Sequence, residues 1–259
     1  MQECKENRRY TLPYALFGKK SDPNIAALVR HFEIFIDQDS HMHWDLETDQ
    51  FFVNGKEMFF TKYFGRADVF EENNFQKYSN YHLMQNYLLS HPHILRHNPR
   101  YSRETPIKAA NLVTAKRVGL RVPRTVIGTK SALEDCIVKP LTGGAHAVAG
   151  NEAQYTAIVQ ERMYGMNRRL FLVGDQHFGF ELKTSKLDYR DDPNTTVSPR
   201  DFDPDLIEKT REVAKRVGLT YCAADFMDDV FLEVNSGPMF AAFDAKVNGR
   251  LAKAIRDTI

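Results

Sequence analysis

The stretch YCAADFMDDVFLEVN, residues 221–235, constrains the chain more tightly than any other: two largely apolar runs, with Asp225 in the first and Glu233 and Asn235 in the second, are separated by Asp228-Asp229. Such a pattern reads as a hairpin, with the acidic pair at the turn and the two runs as antiparallel neighbours. Alternation then fixes the faces. Glu233 and Asn235 are two residues apart and share one face of their strand. Asp225 joins them only if it stands opposite Glu233. A two-residue turn would pair Asp225 with Leu232 and send Glu233 to the other face, whereas a three-residue loop centred on Asp229 pairs 225 with 233. The odd loop is therefore expected. With it, Asp225, Glu233 and Asn235 form an all-oxygen cluster, the hard-ligand set that suits Mg²⁺. The competing reading is a surface hairpin with acidic decoration.

Further charged residues stand at the ends of apolar segments. Lys139 closes the strand-like run CIVK and precedes TGGAHAVAG, where backbone N–H groups could cradle a phosphate. A strand-end lysine reaching into water is the alternative. Thr105-Pro106 caps and opens a helix that ends near Gly119, and Lys108 falls in its first turn, where a cation opposes the helix dipole. An anion nearby would account for that placement. Asp203-Pro204 opens a second helix, ending near Gly218. Both helices close with AKRVGL, at 115–120 and 214–219, which is read as shared helix-ending chemistry and not as a repeat. Strands are expected near VPRTVIG, CIVKP, AIVQER, RLFLVGD and HFGFEL, and a last helix after about Ala245.

The front of the chain differs. It holds most of the histidines and over half of the aromatics, and the boundary is placed near residue 100, in the linker-like HPHILRHNPRYSRETP. Before it, YALF reads as a strand, Asp22-Pro23 opens a helix to about His31, and Asn54-Gly55 turns a hairpin. FQKYSNYHLMQNYLLS presents a helical apolar face at 81, 84, 87 and 88. HMHW, beside Asp45 in a polar connection, and HPHILRH, interrupted by proline, are not read as a zinc site, and Arg66-Ala67-Asp68 is read as a surface turn in preference to an acceptor pocket.

Bulk properties exclude several classes. A net charge of +1 gives no electrostatic case for nucleic acid. No apolar run approaches the roughly 20 residues of a membrane span, and the polar start is unlike a signal peptide, so the protein is read as cytoplasmic. Cys4, Cys136 and Cys222 are scattered and fit reduced thiols.

From about Ser102 to the end, roughly three-fifths of the chain, the sequence resembles the ATP-grasp ligases, in particular the RimK-like branch of carboxylate–amine ligases. EVNSGPMFAAFD matches that branch's glutamate-x-asparagine ending. VQERMYGMNRRLFLVGD is similar to its hinge strand and Asp-x-Arg strand, and ELKTSKLDYRDDPN resembles the strand and loop that bring an arginine to phosphate. The resemblance implies an α/β (α+β) ATP-grasp fold. Residues 1–100 would form a small N-terminal α/β domain, and 101–259 the ATP-grasp domain, with nucleotide held between lobes of about 101–165 and 166–259.

It also implies roles. Lys108 and Lys139 would contact nucleotide phosphates, and Gln160, Glu161 and Arg162 would form the hinge against adenine and ribose. Arg190, Lys183 and Arg169 would supply positive charge at the reacting phosphoryl, and Asp225, Glu233 and Asn235 would hold Mg²⁺ or Mn²⁺. The chain departs from the pattern at Asn167, where an aspartate is usual, at Lys183, where an arginine is frequent, and in a short stretch between Lys139 and Gln160. The implied activity is ATP-dependent ligation through an acyl phosphate, on a peptide or protein carrying a carboxylate and an amine or hydroxyl, by a homo-oligomer. A ligase for small amino acids and a non-catalytic nucleotide-binding module are the alternatives.

Overall fold

A computed structural model describes residues 13–67, 75–99, 108–141 and 147–259. The Thr105-Pro106 helix start, Thr142–His146 of the glycine loop, Asp68 and Cys4 lie outside the described residues. The chain divides into two units, one up to Arg96 and one spanning His97–Thr258.

In the first unit, β1 (Tyr14–Gly18), α1 (Pro23–Leu28), β2 (Ile34–Asp37), β3 (Met42–Asp45), β4 (Gln50–Val53), β5 (Lys56–Met58), β6 (Lys62–Arg66), α2 (Phe75–Ser90) and β7 (Leu95–Arg96) follow in order. A parallel sheet of order β2-β1-β6-β7 has β1 buried on both faces, which is why its sequence is a continuous apolar run. Asp22 caps α1 through its bond from the Asn24 N–H, 2.8 Å, and a 3₁₀ turn continues to His31. The meander β3-β4-β5 turns at Asn54 and Gly55, φ 52° and 75°, the left-handed pair a two-residue hairpin needs. Tyr81, Met84, Tyr87 and Leu88 of α2 pack into the same core as Phe17, Phe51 and Phe60.

The second unit comprises α3 (Lys108–Arg117), β8 (Thr125–Lys130), β9 (Cys136–Lys139), β10 (Val148–Ala149), β11 (Glu152–Glu161), β12 (Asn167–Val173), β13 (Gln176–Lys183), β14 (Thr196–Pro199), α4 (Pro204–Arg216), β15 (Tyr221–Met227), β16 (Val230–Asn235), α5 (Ala241–Asp244) and α6 (Arg250–Asp257). Two antiparallel sheets result, of order β10-β9-β11-β8 and β14-β13-β12-β15-β16. One face of the five-stranded sheet carries Leu170, Leu172, Cys222, Ala224, Phe226, Phe231 and Val234 under Leu112 and Ala115 of α3 and Ile207 and Val213 of α4. Both AKRVGL segments end their helices alike. Leu120 and Leu219 donate to Ala115 and Ala214 carbonyls, Gly119 and Gly218 take φ 84° and 78°, and the two leucines enter this core.

The segment expected to be a linker is structured where it is described. Leu95-Arg96 pairs with β6, and Asn98 is bound within the second unit. Its amide donates to the carbonyls of Tyr221 and Ser236, 2.6 and 2.8 Å, and accepts from the N–H groups of Thr220 and Tyr221, 2.8 and 3.0 Å. Among the described residues no helix is long and apolar enough to cross a membrane.

Candidate functional site

Asp225 does stand opposite Glu233, but not by an odd loop. Met227 pairs with Val230 and Phe226 with Phe231, which leaves a two-residue turn at Asp228-Asp229, with Asp228 at φ 51°. The register then shifts by one, so that Leu232 is the extra residue of a β-bulge and Asp225 meets Glu233. The reason lies in the side chains. Phe231 is two residues before Glu233, and in an unbroken strand the two would share a face. The bulge lets Phe231 enter the core, 0% exposed and 5.6 Å from the Phe226 ring, while Glu233 and Asn235 face the other way.

That opposite face is half aromatic and half charged. Phe243 of α5 covers Phe171 and Phe180, each at 5.1 Å between ring centres. Beside them, Arg169 lies opposite Asp225 and grips it with two bonds, Nε to Oδ1 at 2.6 Å and Nη2 to Oδ2 at 2.8 Å. The guanidinium is packed among Tyr189, Phe243 and Phe171 at 5.3, 5.4 and 5.9 Å. Burial opposes its charge, but Asp225, together with Tyr189 and Glu233, holds it above its ordinary value. The Asn235 amide donates to Asp225 Oδ2 at 3.0 Å and to Glu233 Oε1 at 3.4 Å.

Cations from three further elements complete the field. Lys139, at the end of β9, donates to Gln160 Oε1 at 3.0 Å, and Gln160 Nε2 donates to Thr125 Oγ1 at 3.1 Å. Lys108, at the start of α3, reaches the Pro140 carbonyl at 3.4 Å. Arg190 sits in the 3₁₀ turn Tyr189–Asp191, its Nε 2.9 Å from Asp188 Oδ1. Burial raises the Glu233 pKa, but Lys139, Lys108, the Asn235 amide and Arg169 together bring it below its ordinary value. Burial, Lys139 and Arg190 pull Lys108 down, against Glu233. Lys139, Lys108 and Arg169 thus act on one carboxylate, which in turn favours the charge of Arg190.

The expected residues separate into those brought together and those placed apart. Lys108, Lys139, Arg169, Arg190, Asp225, Glu233 and Asn235 share one electrostatic neighbourhood, and Asn167, two residues before Arg169, lies on the same face of β12. Lys183 does not join them: it is on the side of Glu181, 3.9 Å away, with its side chain 68% exposed. Strand parity places it on the face opposite Leu182 and Asn167. Gln160 is 1% exposed and its amide is engaged by Lys139 and Thr125, so its side chain seats the lysine. Glu161 accepts from the Arg124 N–H at 3.2 Å, and Arg162 lies over the Tyr164 ring at 4.9 Å.

Sequence reasoning overlooked Asp192, Asp188 and Tyr189. The Asp192 carboxylate accepts from the Ser185 and Asn194 N–H groups, 2.7 and 2.9 Å, and from the Thr184 hydroxyl, 2.9 Å, bonds that push it down to about 2 and tie the ends of the loop bearing Arg190. The Tyr189 hydroxyl, raised by burial to about 12, keeps its proton beside Arg169. The cluster of acids around Arg190 in LDYRDDPN was the available signal.

The donor set fits a hard divalent cation. Two carboxylates converge on one amide nitrogen, the place a cation would take, with the Asn235 amide oxygen as a third ligand once the amide turns. Among the described residues no three of His, Cys, Asp and Glu converge, so the amide is needed to complete a protein triad.

No protein-family model and no curated protein sequence matches the chain. Solved structures do. The ATP-grasp ligase PsnB complexed with minimal precursor has a TM-score of 0.75 at 21% identity, covering 95% of this chain and 98% of its own. A RiPP-associated ATP-grasp ligase from Chryseobacterium gregarium, in complex with ADP and a leader and core peptide, gives 0.67 at 16%, over 95% and 96%. The macrocyclase MdnC from Microcystis aeruginosa MRC, bound with precursor peptide MdnA, gives 0.66 at 14%, over 94% and 98%. PsnB has also been solved with Mg and ADP and with AMPPNP.

Proposed function

We propose that this chain, which has the ATP-grasp fold, is an ATP-dependent ligase that joins a carboxylate to an amine or hydroxyl on a peptide. The observation that carries the reading is the pair of carboxylates Asp225 and Glu233 gathered on the Asn235 amide, at 3.0 and 3.4 Å, in a field shared with Lys108, Lys139, Arg169 and Arg190 from a helix, two strands and a 3₁₀ turn. A substrate carboxylate attacks the γ-phosphoryl of ATP and releases ADP, and the resulting acyl phosphate then loses phosphate to the incoming amine or hydroxyl. The protein needs no nucleophile of its own. Its work is to hold the reactants in line and neutralise the charge that spreads over the transferring phosphoryl.

In this reading Lys108 and Lys139 bind nucleotide phosphates, and Arg190, on its latched loop, reaches the transferring group. Glu233, Asn235 and Asp225 would hold Mg²⁺, which would supply positive charge against the nucleotide phosphates. Arg169 is locked to Asp225 and fixes that carboxylate's direction. Lys183 has no part in the chemistry. A peptide acceptor is supported by the neighbours' complexes, since PsnB, MdnC and the Chryseobacterium ligase are each bound to precursor or leader and core peptides.

The test is ADP release by purified protein with ATP and Mg²⁺, in the presence of candidate precursor peptides or of free amino acids. Peptide-stimulated turnover, with loss of one water per link formed in the peptide, is expected. Turnover driven only by free amino acids would replace the peptide reading with a small-molecule ligase. Nucleotide binding without turnover on any acceptor would leave a binding module.

A further inference from the structure

β16 is the edge strand of its sheet, so the N–H and C=O groups on its outer side need partners from elsewhere. Two are supplied at separate points. The Phe231 N–H donates to the Arg121 carbonyl at 2.8 Å. Farther along, the Val234 carbonyl accepts from Nδ2 of Asn111 at 3.0 Å. Val234 lies between Glu233 and Asn235, and Asn111 lies one helical turn beyond Lys108 on α3.

Asn111 is 0% exposed, and its Oδ1 has no hydrogen-bond partner among the described residues. Its neighbours on the helix, Leu112 and Ala115, belong to the apolar core. An amide in such a place, with one acceptor left bare, carries a desolvation cost that an apolar side chain would avoid. What it secures is the carbonyl between the two ligand residues. A single bond joins the helix that starts with Lys108 to the middle of the Glu233-Val234-Asn235 segment.

We infer that Asn111 is a positioning residue for the metal site: it fixes the Glu233–Asn235 segment against α3, so that the phosphate lysine and the metal ligands keep one spacing. This rests on the reading of Glu233 and Asn235 as ligands. Asn111 touches neither metal nor nucleotide and acts only through the Val234 carbonyl. Loss of such outer support typically weakens metal affinity by about 10–100-fold.

The test uses the full chain, with Mn²⁺ as the metal and ADP as the nucleotide. Free Mn²⁺ is followed by electron paramagnetic resonance, and ADP binding in EDTA by calorimetry. Asn111→Leu removes the donor at similar volume, and Asn111→Asp keeps the shape but sets an acceptor against the carbonyl. Both variants are expected to weaken Mn²⁺ binding at saturating ADP about tenfold or more, with ADP affinity in EDTA unchanged. Either folded variant suffices, as judged by its melting curve. Wild-type Mn²⁺ affinity in a folded variant would overturn the inference, and so would an equal loss of ADP affinity in EDTA, which marks general loosening. A wild-type protein that binds no Mn²⁺ with ADP would overturn the functional reading together with this one, and is thereby told apart.

Discussion

Glu233 is held in an environment that works in both directions. Burial alone would favour its protonated form, but Lys139, Lys108, the Asn235 amide and Arg169 together keep its pKa below the ordinary value of 4.5. A group whose pKa is depressed by folding contributes stability that is fully present above its unfolded pKa and is lost as the pH falls through the folded one. Glu233→Gln keeps the shape and removes the charge. The variant should fold, release no ADP with any acceptor and bind no Mn²⁺, and urea unfolding should find it less stable than wild type at neutral pH. That stability gap should close as the pH falls below about 4.5. A gap that widens on acidification, or retained turnover, would contradict the role given to this carboxylate. Asp225 differs, because Arg169 already fills two of its acceptor positions. The spacing of Glu233 and Asn235 made that pair readable in the sequence, whereas the Arg169 partnership depends on β12 lying beside β15, which no local pattern encodes.

At the scale of the element, the bulge at Leu232 resolves a conflict between two alternations. Phe226, Phe231 and Val234 must face the core, and Asp225, Glu233 and Asn235 the site, yet Phe231 and Glu233 have the same parity. Parity counting found the correct partners and assigned the wrong cause: an odd loop would have paired Met227 with Phe231 and turned that ring toward the charges. It follows that deleting Leu232 should give a regular hairpin with every residue on its present face. The deletion variant should fold and bind Mn²⁺ with ADP within about threefold of wild type, since cross-strand partners are unchanged. Loss of metal binding in a folded variant would mean that the bulge's extra twist, and not the register alone, aims the ligands. Other elements were legible to differing degrees. The two AKRVGL helix ends follow from glycine and leucine at fixed offsets. β14 was not seen, because Thr196–Pro199 is short, largely exposed and ends in proline, as an edge strand can.

For the whole molecule, legibility follows sequence distance. In the second unit most strands and both longer helices could be read from local alternation and caps, since each segment carries its own pattern. What could not be read is how Lys108, Lys139, Arg169, Arg190 and Glu233, scattered over the second unit, come to share one field. Only the family resemblance pointed to that convergence, and Lys183, carried over by the same route, faces away. The first unit's aromatic content marked it as different and foretold its hairpin and long helix, but its parallel sheet depends on connections that pass over β1. A ligand that binds such a composite site stabilises the folded state by mass action, by about 2.7 kcal/mol at a hundred times its Kd. For a unit of this size that corresponds to a rise in melting temperature of about 5–10 °C. Scanning calorimetry with Mg²⁺ and ADP together should give a shift of that order. Mg²⁺ alone should give little, because without the phosphates proposed to bind Lys108 and Lys139 it adds a further cation to a field that already holds four. Glu233→Gln should lose the metal-dependent part of the shift and keep whatever ADP contributes in EDTA. Equal shifts in wild type and variant would mean that the nucleotide is held without this carboxylate, and the cation cluster around it would need another explanation.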